Sequence, residues 1–311
     1  MMTETDLQKT KDFLSRPGLD ISISIGRSCA QVTSIKAGGR CAALIEVNDA
    51  ENLARLVKYL IDNKALFYII GDGTNVLFKD GFNDIFLIKL SGCFNLISIA
   101  GNGWISAGAS SNLQRLIVFS AKLGFDLSYL AGIPGTVGGA VACNSGTVKK
   151  GICDYVKKVS YLSLEDGAVI AKESELEPGD YGYRYFYKQG LIVLTGILLK
   201  PDINRKEDIF NNIRQNIKNK KISQPLNSLN AGCFFKNPAG TTKSAGEMID
   251  LCGLKRFSFG GAMVSEKHAN FIVNTGDASS KDILVLSRIV KELVKNNFNI
   301  DLEYEIKLVG F

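Results

Sequence analysis

The chain has a single histidine, His268, in 311 residues, which excludes H-E-x-x-H zinc sites and any chemistry that needs two imidazoles. Its seven cysteines, Cys29, Cys41, Cys93, Cys143, Cys153, Cys233 and Cys252, are odd in number and none stands in a C-x-x-C pair. Neither a disulfide framework nor a structural zinc site is expected, no metal is assigned, and the thiols read as reduced. Long apolar runs are missing too. Leu191–Leu199 is interrupted by a threonine and a glycine and falls well short of the roughly 20 residues of a membrane-spanning helix. Met1 to Leu14 is polar and mixed in charge, without the basic-then-apolar order of a signal peptide. A cytoplasmic protein with no membrane span is expected. No internal repeat or low-complexity tract is visible. Neither fixed-spacing nucleotide motif occurs: Gly71, Gly73 and Val76 fail G-x-G-x-x-G, and G-x-x-x-x-G-K-[ST] is absent.

What remains is ordinary in bulk. With 46% apolar and 22% charged residues, the sequence is neither disordered nor fibrous, and its length suits two or three domains. Two excesses stand out: 31 glycines and a formal charge of +6, most of the latter after residue 200. Both suggest phosphate. A mild excess without a concentrated basic stripe fits a small anionic ligand better than a nucleic acid.

Asn48-Asp49 offers a helix N-cap, and Leu53, Leu56, Val57, Leu60 and Ile61 then recur on one helical face. Strand-like Ala43–Val47 precedes that helix and Leu66–Ile70 follows it, with the glycine loop Gly71-Asp72-Gly73-Thr74-Asn75 directly after. Short β-rich runs come next, at 85–90, 96–99 and 104–107. An amphipathic segment, 112–123, then ends at Gly124. The densest glycine cluster follows, Gly132-Ile133-Pro134-Gly135-Thr136-Val137-Gly138-Gly139-Ala140. Asp166-Gly167 between two β-rich runs signals a hairpin. After Lys200-Pro201-Asp202 the texture changes to a Lys/Asn-rich helix over 207–221, and the domain boundary is placed there. A long helix is expected after an Asp277 cap. The chain closes on an expected strand, 302–309, whose Leu302, Tyr304, Ile306 and Leu308 alternate with Glu303, Glu305 and Lys307.

Glycine loops hold pyrophosphate because, without a Cβ, backbone N–H groups can close on phosphate oxygens. The same loops also serve as plain tight turns. On residue type alone, Arg184 among Tyr183, Tyr185 and Phe186 is equally a surface arginine. Cys233 is equally a small buried hydrophobe, as the other six cysteines are read. Glu305 either looks into a cleft or faces water. Lys149-Lys150 and Lys157-Lys158 read as solvated faces, and His268 as structural.

Taken in order, six segments resemble UDP-N-acetylenolpyruvoylglucosamine reductases: Gly71 to Asn75, Gly132 to Ala140, Tyr181-Gly182-Tyr183-Arg184, Ala231-Gly232-Cys233-Phe234-Phe235-Lys236-Asn237-Pro238, Gly260 to Asn274, and Glu305 to Gly310. The resemblance runs from about residue 20 to the end. It implies an α+β flavoenzyme of peptidoglycan precursor synthesis, with an FAD-binding fold of the vanillyl-alcohol-oxidase/PCMH type and a C-terminal α+β substrate-binding domain. The implied division is an N-terminal segment 1–34, an FAD-binding region 35–200 (subdomains about 35–78 and 79–200), and a substrate-binding domain 201–311. FAD is held non-covalently by Gly71, Asp72, Gly73, Thr74, Asn75, Gly132, Ile133, Pro134, Gly135, Thr136, Gly138 and Gly139, and NADPH is the reductant. The partner is a UDP-linked enolpyruvyl sugar, and a monomer that binds no nucleic acid is expected. No room is left after Arg184 for the tyrosine-bearing loop of the longer branch, so the chain resembles the short one.

The resemblance also assigns roles. Arg184 grips the substrate carboxylate, where a planar guanidinium fork offsets the charge of a developing enolate. Cys233 stands where most of the family has a proton-donating serine. A thiol is the stronger acid and can protonate a carbanion without a histidine partner. Glu305, selected over Glu303 by the family's E-x-x-x-G ending read with one further residue, hydrogen-bonds the enediolate. Lys221 and Asn237 match substrate-contacting positions. A flavin oxidase or dehydrogenase of the same fold, or a non-catalytic nucleotide-sugar sensor, would carry the same glycine loops.

Overall fold

Asp49 opens the first long helix, Ala50–Asp62, by accepting the Asn52 N–H at 2.9 Å, one of the donors that a helix start leaves without a partner. Its apolar stripe of Leu53, Leu56, Val57 and Leu60 is fully buried, packed with Ile45, Val47, Phe86 and Ile88. Burying each such side chain contributes about 1.5–3 kcal/mol. The computed structural model that contains this helix describes residues 10, 12–13, 18–101, 103–147 and 150–311. Most of the N-terminal stretch, and Lys149, lie outside the described residues.

The chain forms two compact units. The first holds the chain up to Gly26, Ala42–Gly71 and Asp84–Ile217; the second holds Arg27–Cys41, Asp72–Asn83 and Lys218–Phe311. In the first unit a four-stranded sheet runs in the order Ile21–Ile25, Arg40–Val47, Phe82–Leu90, Phe67–Ile69. A five-stranded antiparallel sheet runs in the order Ala168–Glu175, Val156–Glu165, Leu191–Leu199, Ile105–Gly108, Ile97–Ile99. The Asp166-Gly167 hairpin forms as expected, with φ of 48° and 78° at its two loop residues, the pair of positive values that a two-residue I′ turn requires. Helix Leu113–Leu123 is capped by the Asn112 side chain and stopped by Gly124 at φ 87°. It lays Leu113, Leu116 and Ile117 into the core below the five-stranded sheet.

The second unit is built on helices Ala245–Leu251 and Ser280–Phe298 and a four-stranded sheet ordered Leu229–Asn230, Ile272–Asn274, Ala262–Val264, Ser258–Phe259. A parallel pair, Lys307–Val309 beside Val76–Phe78, completes it. Phe234, Phe235, Ile249, Ile283, Leu286, Val290 and Leu302 fill its core.

Several expectations need correction. A single boundary at residue 201 does not describe the units. Asp202–Ile203 pairs with Phe125–Asp126, and the helix Lys206–Ser223 gives Ile209 and Ile213 to the first unit's core, so the chain stays in that unit to Ile217. The compact units also divide differently from the boundaries expected near 34 and 78, since Arg27–Cys41 and Asp72–Asn83 fold with the C-terminal part. The long helix is capped by Ser279 and not Asp277. Ser279 and Asp282 satisfy each other's backbone N–H at 3.0 Å in both directions, a reciprocal box that a lone aspartate cannot match. Of the expected strand 302–309 only Lys307–Val309 pairs as a strand, although Leu302 and Ile306 do point inward. Cys93 is exposed, unlike Cys29, Cys41 and Cys153. Lys150 is no free solvated charge: its Nζ sits 2.9 Å from Asp202 and 4.1 Å from the Tyr155 ring centroid.

Loss of the Ser279 cap through Ser279→Ala is expected to lower the unfolding free energy by about 1 kcal/mol, read as an earlier midpoint in urea titration; an Asp277→Ala control is expected to move it far less.

Candidate active site

Gly71, the first residue of one glycine-rich loop, meets the second loop inside the first unit. A Cβ on Gly71 would lie 2.5 Å from Thr136 Oγ1, so only glycine lets that backbone come so close. Gly135 sits at φ 117°, a conformation that side chains other than hydrogen rarely adopt. Gln114 braces the second loop from the neighbouring helix: its Oε1 accepts the Gly132 N–H at 2.9 Å and its Nε2 donates to the Ile133 carbonyl at 2.6 Å. Thr136 then caps the helix Val137–Ala142 through its hydroxyl, which accepts the Gly139 N–H at 3.2 Å. Gly138 has a different task. Its N–H donates to the Ala109 carbonyl at 2.8 Å, and a Cβ there would meet the Ala109 Cβ at 2.9 Å. Gly138 and Gly139 also serve packing and capping, while Gly71 and the glycines at 132 and 135 let two stretches of backbone approach closely, with the Thr136 side chain between them, as a glycine-rich surface. Such a surface fits a pyrophosphate.

Arg184 lies in the first unit at the tip of a two-residue hairpin, Tyr181–Gly182 against Tyr185–Phe186. It occupies the second loop position at φ 55°, a left-handed conformation costly for a residue with a long side chain. Its guanidinium donates from Nη1 to the Asn144 carbonyl at 3.5 Å and from Nη2 to the Gly146 carbonyl at 3.2 Å, and lies over the Tyr183 ring. Residues 185–190 are all that separate it from the strand Leu191–Leu199.

Cys233 and Glu305 are brought together in the second unit. The Glu305 N–H donates to the Phe234 carbonyl at 2.9 Å, Phe235 bridges Tyr304, and the Lys236 N–H donates to the Glu303 carbonyl at 2.8 Å. Both Cys233 and Glu305 are half-buried, while Glu303 is exposed and paired with Lys236 at 3.1 Å. That difference in exposure separates two glutamates that alternation alone places on the same side. Asn75 of the first glycine loop joins the same cluster, accepting the Lys307 N–H at 3.0 Å and donating from Nδ2 to the Glu305 carbonyl at 3.4 Å.

Two family models match the chain: "UDP-N-acetylenolpyruvoylglucosamine reductase, C-terminal domain" over residues 224–309 and "FAD binding domain" over residues 41–171. A UDP-N-acetylenolpyruvoylglucosamine reductase of Chloroherpeton thalassium is 35% identical over 300 residues, covering 93% of this chain and 94% of the relative. One of Caldanaerobacter subterraneus is 34% identical over 99% of both chains. Among solved structures, that of UDP-N-acetylenolpyruvylglucosamine reductase from Thermus caldophilus superposes with a TM-score of 0.76 at 32% identity, covering 94% of this chain and 99% of that one. The chain belongs to the UDP-N-acetylenolpyruvoylglucosamine reductase family. The α+β fold with its FAD-binding region and C-terminal α+β domain is the one expected for this reductase family.

Within this reductase framework the other expected residues sit as follows. Asn237 uses its Oδ1 to accept the Ala245 N–H at 3.1 Å, at the start of helix Ala245–Leu251. Lys221 is exposed near the end of helix Lys206–Ser223, and its carbonyl accepts from Lys267 at 3.4 Å. No cluster of three or more metal-binding side chains exists among the described residues, nor is any described helix long and apolar enough to cross a membrane.

Asn270 went unmarked in the sequence. It is buried, and its amide pairs with both backbone groups of Phe235, accepting from N–H at 2.9 Å and donating to the carbonyl at 2.8 Å. Its own carbonyl accepts the Phe234 N–H at 2.8 Å. The segment that carries Cys233 is thus fixed from one side by Asn270 and from the other by Glu305. The available signal was an amide standing directly before the apolar run Phe271-Ile272-Val273.

His268 supports Asn270: its Nδ1 accepts the Asn270 N–H at 3.2 Å, and its ring packs edge-on against Phe271. Burial first, and then the charge of Lys255, hold its pKa below the ordinary 6.5. The folded state therefore prefers the neutral ring, which gives stability that is complete above pH 6.5 and lost as pH falls through the folded pKa. With no second histidine to mask the effect, the melting midpoint is expected to drop between pH 7.5 and 5.5, and His268→Gln to flatten that slope.

Proposed function

We propose that this chain reduces the enolpyruvyl group of UDP-N-acetylglucosamine enolpyruvate to give UDP-N-acetylmuramate, a step of peptidoglycan precursor synthesis. The reading rests on membership of the reductase family and on one observation above all, the bond from the Glu305 N–H to the Phe234 carbonyl at 2.9 Å, which joins the Cys233 motif to the C-terminal glutamate. The glycine-rich backbone at Gly71 and Gly132 to Thr136 would hold the FAD pyrophosphate. Bound FAD supplies hydride delivery to the enolpyruvyl methylene, with NADPH as the source of electrons.

The residues of the chain handle the charge and the proton that remain. Hydride arriving at the methylene leaves an electron pair on the adjacent carbon, delocalised into the substrate carboxylate. Arg184 binds that carboxylate with a fork of N–H donors whose positive charge offsets the enolate. Each terminal guanidinium nitrogen carries two N–H groups, so bonding to the Asn144 and Gly146 carbonyls leaves the charge intact. Glu305 hydrogen-bonds the enediolate in its protonated form. Cys233 gives its S–H proton to the carbon, and the resulting thiolate recovers a proton from solvent between turnovers. Lys221 supplies a point charge and Asn237 an amide to the diphosphate and sugar.

Cys233→Ala is expected to slow enolpyruvyl reduction by about 100-fold or more under anaerobic conditions, with reduction of the flavin by NADPH unchanged, and Cys233→Ser is expected to retain activity. Normal turnover by the alanine variant removes Cys233 from the reaction. Bleaching of the yellow protein by NADPH, followed by return of colour with the enolpyruvyl sugar nucleotide, distinguishes the reductase from a flavin oxidase. Gly71→Ala, which forces a Cβ against the Thr136 hydroxyl that caps Val137–Ala142, is expected to purify with a flavin-to-protein ratio several-fold below that of the unmodified chain and with a lower melting midpoint.

A further inference from the structure

We propose that Asn144 is a positioning residue that sets the Arg184 guanidinium in place for the substrate carboxylate. The inference rests on the role proposed above for Arg184 and adds the residue through which that role is set up. Asn144 is buried, one residue beyond the Cys143 cap of the helix Val137–Ala142, with φ 39°. Asparagine is one of the few residues that tolerate this left-handed region.

Its contacts converge on the arginine from two directions. The side-chain Nδ2 donates to the Gly182 carbonyl at 2.8 Å, and Gly182 is the last paired residue before the Tyr183-Arg184 loop. Its backbone carbonyl accepts from Arg184 Nη1 at 3.5 Å, beside the Gly146 carbonyl that accepts from Nη2 at 3.2 Å. One residue thus holds the base of the hairpin and the head of the side chain.

The amide itself is held on its other side. Its Oδ1 accepts the Cys153 N–H at 3.0 Å. A Cβ on Gly151 would lie 2.1 Å from that oxygen, so the glycine makes room for the amide. Gly146 and Gly151 pair as an isolated bridge, which closes the loop that presents the Gly146 carbonyl. Arg184, at φ 55° in a two-residue loop, holds its conformation only while the surrounding contacts define it. Since small displacements of a positioned charge cost large factors in rate, the Asn144 amide sets the alignment of the guanidinium.

Asn144→Asp is the decisive variant. It keeps the size, the tolerance of positive φ and the acceptor for the Cys153 N–H, but replaces the donor to Gly182 with an oxygen. In full-length, flavin-loaded enzyme, anaerobic enolpyruvyl reduction is expected to fall about tenfold or more, while flavin reduction by NADPH stays within about twofold. Calorimetric titration of the oxidised enzyme with the enolpyruvyl sugar nucleotide is expected to show weaker binding by the variant. In the Arg184→Ala background, adding Asn144→Asp is expected to change neither quantity further, because both substitutions act through one group.

Three results overturn the proposal: reduction by Asn144→Asp at the unmodified rate, equal slowing of both half-reactions, or effects that multiply in the double variant. Arg184→Ala alone identifies the other failure, since an unimpaired enzyme there removes the role of the arginine itself. Asn144→Gly, which accepts the same φ and lacks both side-chain bonds, gives the same comparison if the aspartate variant does not accumulate folded.

Discussion

Glu305 is placed by a parallel strand pair. Lys307, Leu308 and Val309 lie beside Val76, Leu77 and Phe78, and the bonds continue at both ends, from the Lys307 N–H to the Asn75 carbonyl and from the Lys79 N–H to the Val309 carbonyl. Parallel neighbours cannot be joined by a tight turn and need a crossover; here residues 79–306 serve as one. The second unit must therefore be discontinuous in sequence, taking residues 72–83 from the early part of the chain. The register of this pair has chemical weight. Side chains alternate along a strand, so a slip of one residue would turn Glu305 towards the core and Ile306, now buried, outwards. The pairing that closes the fold also fixes which face the glutamate presents, and it ties that face to the Asp72-to-Asn75 loop.

Two buried amides extend the same logic to the other residues proposed to act on the substrate. Asn270 bonds both backbone groups of Phe235, and Asn144 bonds Gly182 and Cys153. Each is satisfied at donor and acceptor. An amide oxygen and nitrogen read opposite backbone polarities, so the pairing works in one orientation only. Leaving one partner unmade in a buried setting costs about 1–3 kcal/mol. Such residues hold loops, which lack ladder bonds of their own, as firmly as strands are held, and they do so next to Arg184 and Cys233.

Much of the fold could be read from the chain because local signals were strong. Asp49 and Asn112 cap helices whose apolar stripes were evident, Gly124 stops one of them, and Asp166-Gly167 turns a hairpin. Most of the failures depend on partners distant in sequence, the local Ser279–Asp282 box being the exception. The Ser279–Asp282 box was legible as a pattern but competed with a nearby aspartate. The domain boundary looked clean at Pro201 because texture changes there, yet Ile209 and Ile213 are drawn to the first core. The last strand is cut short because only its end finds a partner strand. The glycine loops, Arg184, Cys233 and Glu305 stand as candidates through the ordered resemblance to a family. Asn144 and Asn270 were not, since nothing about a single asparagine announces a backbone partner 38 or 35 residues away.

The scarcity of histidine takes on a physical meaning here. A chain with one imidazole cannot use a second to move protons, and this one uses its imidazole as a hydrogen-bond acceptor. Neutral His268 takes the Asn270 N–H on Nδ1, which leaves the ring proton on Nε2. Protonation would set an Nδ1–H against that donor. Depression of its pKa by burial protects the bond, and through Asn270 the bond supports the backbone of Phe234 and Phe235. A catalytic histidine in this place would have to cycle through its charged form and would loosen the segment at each turnover. Supplying the proton from the adjacent Cys233, as proposed, leaves the histidine neutral and the segment undisturbed throughout.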